Sequence, residues 1–188
     1  MKRTDQGFTL VELMVVVAIS AIALAMAIPA FTTLIQHNQA DGVASDLVAA
    51  MNLAREEAIR TRGVAAVCPR AAARTGEPYC ASSGDYWTNG WLVLTLPTGA
   101  VTTCPTDSST SVIRAYEAPD PTGSRIIISN NGATSVRNCL RFGATGLPAG
   151  NFNGLTFTVA FPGNNAVTCM VMSSAGRLRR HDATGRSC

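Results

Sequence analysis

The chain has 188 residues, a formal net charge of +3, six cysteines and two histidines. This length is enough for one domain of ordinary size together with an additional helix. The two histidines, His37 and His181, are far apart in the sequence, and no cysteine pair has the C-x-x-C spacing. The sequence also lacks a glycine-rich phosphate loop, so it argues against a zinc module and against a nucleotide-dependent or metal-dependent enzyme. We predict a protein that is not an enzyme and that needs no cofactor or metal.

A long apolar run begins after Gly7 and carries a single charge. Between Phe8 and Phe31, Glu12 is the only charged residue. The run satisfies the roughly 20 residues that a membrane-spanning helix requires. A carboxylate in hydrocarbon costs roughly 2.5 to 3.5 kcal/mol, so Glu12 needs a functional explanation.

An ordinary secretory signal is the alternative interpretation of this region. Lys2 and Arg3 would form its basic start, and cleavage would fall near Ala27 or Ala30. The run is longer than the apolar core of such a signal, and Glu12 interrupts it near its beginning. We therefore predict that the apolar helix stays attached to the mature chain.

A helical pattern continues from Thr32 to Arg62. Apolar residues recur there at spacings of three and four, which is typical of an amphipathic helix. These residues are Val43, Leu47, Met51, Ala54 and Ala58. We predict one long helix that Pro29 kinks or locally opens, that Gly42 softens and that stops at Gly63.

From residue 64 onward the pattern changes to short runs rich in β-branched and aromatic residues. Clusters of Gly, Pro, Asn and Ser separate these runs, which is typical of a protein built from many short strands. The predicted strands are 64–68, 90–96, 111–117, 124–129, 139–143, 155–161 and 166–174, followed by a short run at 177–180. The expected fold class is α+β, with a long N-terminal helix packed on an antiparallel, β-rich head.

All six cysteines follow the apolar helix. They are Cys68, Cys80, Cys104, Cys139, Cys169 and Cys188. An even number in an exported domain indicates disulfides, but six cysteines allow 15 pairings and the sequence alone does not choose among them. We favour sequence-local closure, with Cys68 bonded to Cys80 and Cys169 bonded to Cys188, which leaves Cys104 for Cys139.

Positive charge is concentrated in a basic tail, residues 170–188. The tail contains one acid, Asp182, and four arginines, Arg177, Arg179, Arg180 and Arg186. In an extended segment Arg177 and Arg179 lie on one face and Leu178 on the other, toward the packed side. Gly176 gives the chain freedom to turn before them. The clustering suits phosphate binding, although solvated arginines on a final edge strand that discourage edge pairing are a second explanation.

The start of the chain resembles a known processing signal. Gly7-Phe8-Thr9-Leu10-Val11-Glu12 follows a short basic leader, and together they resemble the class III signal of type IV pilins and type II secretion pseudopilins. The resemblance implies that a prepilin peptidase cuts after Gly7 and methylates Phe8. It also implies that Glu12 pairs with the N-terminal amine of a neighbouring subunit as it enters the filament, because an opposite charge strongly selects register where a carboxylate is desolvated.

The head carries a second resemblance in three stretches. DYWTNGWLVL (85–94), LRFGATGLPAG (140–150) and VMSSAGRLRR (171–180) are similar to the head domain shared by the FimT and FimU minor pilins and the GspH pseudopilin. In the FimT branch a Gly-Arg-x-Arg element near the C-terminus is associated with DNA capture during natural transformation, and residues 176–179 fit it. The chain is identified on this basis as a member of this family, closest to FimT.

The resemblance implies a function and an alternative. The function is a minor type IV pilin that binds DNA without sequence preference through Gly176, Arg177 and Arg179, helped by Arg180 and Arg186. The alternative is a tip-priming, FimU-like minor pilin or a GspH-like pseudopilin with no DNA role. The expected partners are the DNA phosphate backbone, other major and minor pilins, and the prepilin peptidase.

These features predict four segments along the chain. They are a leader at 1–7, a transmembrane and filament-core half of the helix at 8–31, an amphipathic half at 32–63, and the head at 64–188, which includes the basic tail. The expected location is a single pass of the bacterial inner membrane with the head in the periplasm, and then the pilus filament at the cell surface.

Overall fold

The computed structural model describes residues 9–71, 79–81, 86–97, 111–117, 125–129, 139–149, 154–160 and 167–182. A helix, α1, spans Leu10–Thr61 and continues through Pro29. The strands of the described residues are β1 Val64–Pro69, β2 Trp91–Leu96, β3 Ser111–Tyr116, β4 Arg125–Ser129, β5 Leu140–Phe142, β6 Leu155–Ala160, β7 Val167–Met172 and β8 Leu178–Asp182. A short 3-10 turn, Tyr86–Asn89, precedes β2. The predicted order of one long helix followed by short strands is confirmed.

Contacts within the chain divide it into two units, with the boundary between Gln36 and His37. In the first unit, Thr9 caps the start of α1, because its Oγ1 accepts a hydrogen bond from the Glu12 amide at 3.2 Å. Thr followed three residues later by Glu is the pattern of a capping box. Leu10–Ile28 has a mean hydropathy of 2.6 and is long and apolar enough to cross a membrane.

In the second unit, α1 packs its apolar stripe into the main core. The five predicted stripe residues, Val43, Leu47, Met51, Ala54 and Ala58, are all buried, and so are three alanines beside them, Ala40, Ala44 and Ala50. Burying a side chain the size of Leu47 or Met51 contributes roughly 1.5 to 3 kcal/mol to folding. The stripe is therefore the surface by which this part of the helix joins the head.

The helix ends in a Schellman arrangement centred on Arg62. The Gly63 amide donates to the Ala58 carbonyl at 3.1 Å, and the Arg62 amide donates to the Ile59 carbonyl at 3.2 Å. Arg62 has a φ of 51° and so takes the left-handed conformation. The stop predicted at Gly63 is therefore located correctly to within two residues, but the left-handed residue is Arg62.

The first sheet has the strand order β3-β2-β1-β5 and is antiparallel throughout. Its two central strands are buried on both faces. Val67 and Val93 face the main core, whereas Ala66 and Leu92 belong to a smaller cluster on the opposite face. Double burial explains why these strands read as continuous apolar runs instead of alternating patterns.

The second sheet has the strand order β4-β6-β7-β8 and is also antiparallel. Strand β6 alternates between the buried Leu155, Phe157 and Val159 and half-buried residues between them. These three residues, together with Ile126, Met170 and Met172, join the same core as the helix stripe and the first sheet. The predicted helix packed on an antiparallel β-rich head is confirmed, and β8, which carries Arg179 and Arg180, is an edge strand.

Disulfides link several of the cysteines. Cys68 is bonded to Cys80, as predicted. Cys139 and Cys169 are also disulfide-bonded. Cys104 and Cys188 lie outside the described residues, so the pairings Cys104 with Cys139 and Cys169 with Cys188 stay predictions.

Candidate nucleic-acid interface

The candidate site is built on the hairpin formed by β7 and β8. Residues 173–177 connect the two strands in a tight turn, closed by the Gly176 amide donating to the Ser173 carbonyl at 2.8 Å. The Ser173 amide donates in turn to the Arg177 carbonyl at 3.0 Å. Gly176 has a φ of 74°, a conformation that glycine adopts without steric penalty. The turn therefore delivers Arg177 directly to the start of the last strand.

Arg177, the residue immediately before β8, and Arg179 within β8 lie on the same side of the hairpin. Both side chains are exposed, whereas Leu178 between them is half-buried and packs against the main core. Arg179 lies opposite Val171 of β7 in the antiparallel register. The predicted alternation, with Leu178 turned toward packing, is thus present. Among the described residues, neither guanidinium forms an ion pair with a carboxylate.

Arg180 occupies the other face and has a different environment. It lies opposite the buried Met170. Its Nη2 is 3.0 Å from Oδ1 of Asp41 on α1 and donates to the Asp41 carbonyl at 3.0 Å. A second neighbour, Thr168, donates from Oγ1 to the same carboxylate at 3.3 Å. The structure therefore separates Arg180 from Arg177 and Arg179, and its charge is balanced by Asp41.

A groove of about 780 Å³ runs beside the two exposed arginines. Its described lining comes from the hairpin and from one side of α1, and it consists of Val48, Asn52, Arg55, Val171, Ser173, Ala175, Gly176, Arg177, Leu178, Arg179 and His181. Three of these residues are arginines, and none is an acid. A groove with cationic side chains and no carboxylate favours an anionic ligand, and a phosphate backbone has that chemistry.

The helix residues of the groove were not predicted from the sequence. Arg55 is the most important of them, because it donates to backbone carbonyls of two separate turns. It directly follows the buried Ala54, so it lies beside the apolar stripe and within reach of the head. The stripe could have indicated this position, but carbonyl partners 91 and 120 residues away carry no side-chain signature.

Other predicted site residues lie elsewhere. Glu12 is exposed in the first turn of α1, and its carboxylate has no ion-pair partner among the described residues. Gly7, Phe8 and Arg186 lie outside the described residues. The structure thus brings Gly176, Arg177 and Arg179 together, gives Arg180 a separate position and leaves the processing site untested. Among the described residues no group of His, Cys, Asp and Glu could hold a metal ion.

Comparison with protein families identifies the chain. Residues 43–176 match the family described as "Type II transport protein GspH". The chain belongs to the GspH family. Residues 2–28 also match the "Prokaryotic N-terminal methylation motif", which covers the predicted processing signal. The GspH match ends at Gly176, so Arg177 and Arg179 lie just beyond it.

Solved structures agree with this assignment. This GspH-family chain is similar to crystal structures of the type IV minor pilin FimU from Pseudomonas aeruginosa strain PAO1 in two crystal forms, with TM-scores of 0.56 and 0.51. The identities are 15% and 16%, and the alignments cover 80% and 78% of this chain and 96% and 99% of the FimU chains. The type IV pilin-like fold is confirmed. No curated protein sequence matches the chain significantly.

These findings confirm the predicted membership of the FimT, FimU and GspH group, in which the chain is a minor pilin or pseudopilin and not an enzyme. The methylation motif implies processing by a prepilin peptidase and assembly with other pilins. The apolar N-terminal part of α1 suits membrane anchoring of the chain before assembly. The family assignment alone does not include DNA among the partners.

Proposed function

We propose that this chain is a minor type IV pilin that binds DNA through Arg177 and Arg179, and that this binding serves DNA uptake in natural transformation. The observation that carries the proposal is the pair of exposed guanidinium groups at the start of β8, beside a groove without a carboxylate in its described lining. Unlike Arg180, these two arginines have no acid to balance their charge among the described residues. Their charge is therefore available to a ligand.

Guanidinium groups suit phosphates in particular. Each planar fork can donate two parallel hydrogen bonds to one phosphate, and it stays charged at any physiological pH. Contacts of this kind position a protein on DNA without reading its bases. The hairpin turn and β8, residues 173–182, contain no Asn or Gln for base-edge recognition, and Asn52 of α1 is the one amide side chain in the described lining of the groove. Because the two arginines contact phosphates and not bases, binding should be largely independent of sequence, as uptake of arbitrary DNA requires.

The strength of binding follows from the small number of contacts. Two or three phosphate contacts, with Arg186 as the additional donor, correspond to weak, roughly micromolar binding at physiological salt. Several copies in one filament raise the effective affinity, because later contacts on the same DNA are intramolecular. The groove residues of one subunit need only bind weakly for the filament to retain DNA.

The setting of this activity follows from the processing signal. We propose a chain with a single pass of the bacterial inner membrane and its head in the periplasm. The prepilin peptidase removes the leader, and the mature chain then assembles into a pilus filament alongside major and minor pilins. The match to the methylation motif and the apolar segment Leu10–Ile28 support this sequence of events.

The proposal is tested by measuring DNA binding of the full-length protein in detergent, by fluorescence anisotropy with two duplexes of unrelated sequence. The parent should bind both alike, and Arg177→Gln/Arg179→Gln should weaken binding to both by about tenfold. The matched control is Arg62→Gln/Arg114→Gln, which also removes two exposed positive charges, but outside the groove. Equal binding by the parent and the groove variant would contradict the DNA role and favour a tip-priming minor pilin or a pseudopilin.

A further inference from the structure

Arg55 connects the helix to two turns of the head. Its Nε donates to the carbonyl of Gly146 at 2.6 Å, in the turn that follows β5. Its Nη2 donates to the carbonyl of Ala175 at 3.0 Å, and Nη1 lies 3.5 Å from the carbonyl of Gly176. Ala175 and Gly176 belong to the β7–β8 turn that precedes Arg177. One guanidinium therefore bridges two segments of backbone that are distant in sequence.

The backbone around Arg55 is packed closely enough to require glycine in both turns. Gly146 and Gly176 are buried, with φ values of 73° and 74°. A Cβ added to Gly176 would lie 2.9 Å from Arg55 Nη2 and 3.0 Å from Pro148 Cδ. A Cβ added to Gly146 would lie 2.7 Å from Ile59 Cδ1. Both turns thus approach the helix side chains at van der Waals distance.

The chemistry of Arg55 differs from that of the other groove arginines. It is half-buried, its guanidinium donates to carbonyl oxygens of the head, and it has no carboxylate partner among the described residues. Hydrogen bonds from a charged donor are stronger than neutral ones. Because the N–H groups of Arg55 donate to backbone carbonyls of the turn, they restrict the position of that turn. A turn fixed to a long helix has less conformational freedom than a free hairpin end.

We infer that Arg55 is a positioning residue for the DNA site: it fixes the β7–β8 turn against the helix and so directs Arg177 and Arg179 into the groove. The inference rests on the proposed DNA binding of these two arginines. Without Arg55 the hairpin end would populate orientations in which the two guanidinium groups do not face the same DNA backbone. Apparent affinity falls in proportion to the population that is competent to bind.

The decisive variant is Arg55→Lys in the full-length protein in detergent, because it keeps the charge but cannot reach all three carbonyls. DNA affinity should fall by about three- to tenfold, while the slope of log affinity against log salt stays at the parent value, since the same phosphates are contacted in the bound state. Hydrogen exchange of the Gly176 amide should become faster in the absence of DNA. The control is Arg60→Lys on the same helix, where the parent side chain pairs with Glu57 at 2.6 Å; it should leave all three measurements unchanged.

Parent-like affinity and parent-like Gly176 exchange in Arg55→Lys would overturn the inference, because charge alone would then be sufficient. A flatter salt slope in Arg55→Gln together with unchanged Gly176 exchange would also overturn it, since Arg55 would itself be a phosphate contact. Gly146→Ala provides a second test that changes no charge. It crowds Ile59 and the Arg55 Cγ, which would be 3.3 Å from the new Cβ. It should weaken DNA binding in the same way, and parent-like binding by this variant would count against the inference.

The failure of the inference is distinguishable from the failure of the proposed function. If Arg177→Gln/Arg179→Gln binds DNA as the parent does, the DNA site itself is wrong. In that case faster exchange at Gly176 in Arg55→Lys would still report a structural contact, but not one that serves DNA binding. If the double variant loses binding and Arg55→Lys does not, only the positioning role is wrong.

Discussion

Arg180 and Asp41 form an ion pair between the last strand and the long helix, with 3.0 Å between Nη2 and Oδ1. The neighbouring Arg179 lies on the opposite face of the strand and has no carboxylate partner among the described residues. Two adjacent arginines of one basic tail therefore have different environments. One balances a helix carboxylate, and the other presents its charge to the groove.

This difference predicts that substitutions of the two arginines affect stability and DNA binding to different extents. Arg180→Gln should lower the free energy of unfolding by up to about 1 kcal/mol, the range for a partly exposed ion pair, and should weaken DNA binding less than Arg179→Gln does. Arg179→Gln should leave stability unchanged. Unfolding in guanidinium chloride, followed by the fluorescence of the buried Trp87 and Trp91, measures the free energy of unfolding. Anisotropy titrations measure the DNA affinity. A larger loss of DNA affinity in Arg180→Gln than in Arg179→Gln would contradict this division.

The turn before Arg177 should tolerate no side chain at Gly176. Gly176→Ala places a Cβ in the left-handed region, 3.0 Å from Pro148 Cδ, and should destabilise the head by about 1 to 2 kcal/mol. Gly42→Ala is the matched control, because nothing lies within 4 Å of a Cβ added there and α1 is regular at that point. The control should stabilise the helix by about 0.5 to 1 kcal/mol. Denaturant midpoints that shift in the same direction for both variants would show that the turn is not constrained as described.

Much of the fold could be predicted because its signals are local. The stripe from Val43 to Ala58 repeats with the period of a helix, and the short strands are separated by turn residues, so the sequence alone indicates both. The end of the helix is predicted less accurately. Gly63 is the obvious stop residue, yet Arg62 takes the left-handed conformation because the hydrogen bond from Gly63 to Ala58 closes the helix one residue earlier.

The candidate site was only partly predictable. The alternation of Arg177, Leu178 and Arg179 follows from strand geometry, so their faces were expected correctly. The sequence could not show that Arg180 meets Asp41, 139 positions earlier, because ion pairs between distant segments leave no spacing to recognise. The role of Arg55 could not be predicted either, because its hydrogen-bond acceptors are backbone carbonyls, which every residue carries.

The disulfide between Cys68 and Cys80 should contribute substantially to the stability of the head. The two residues are 12 positions apart, and closing a loop of this size contributes about 3 kcal/mol in the chain-entropy model. Cys68→Ala/Cys80→Ala should lower the free energy of unfolding by about 2 to 4 kcal/mol.

Non-reducing peptide mapping of the parent should also recover Cys169 with Cys188 and Cys104 with Cys139. A peptide linking Cys139 to any residue other than Cys104 would show that the sequence-local pairing is wrong.

Processing and assembly should depend on different residues of the N-terminal segment. Mass spectrometry of the mature chain should place its first residue at Phe8 and show that residue methylated. Glu12→Leu should be cleaved normally but should enter filaments poorly, because the proposed partner of the carboxylate is the amine of a neighbouring subunit. A mature chain beginning after Ala27 or Ala30 would show that the apolar run is an ordinary secretory signal. Normal incorporation of Glu12→Leu would remove the pairing role.

The central claim is that Arg177 and Arg179 bind DNA through its phosphates, and the salt dependence of affinity tests it most directly. Dissociation constants of the full-length protein are measured between about 50 and about 200 mM salt, for the parent, Arg177→Gln/Arg179→Gln and the control Arg62→Gln/Arg114→Gln. Each neutralised phosphate contributes about 0.9 to the slope of log affinity against log salt, so the parent should show a slope of about −3. The groove variant should flatten that slope by about 2, and the control should reproduce the parent slope. Equal slopes for the parent and the groove variant would contradict the claim.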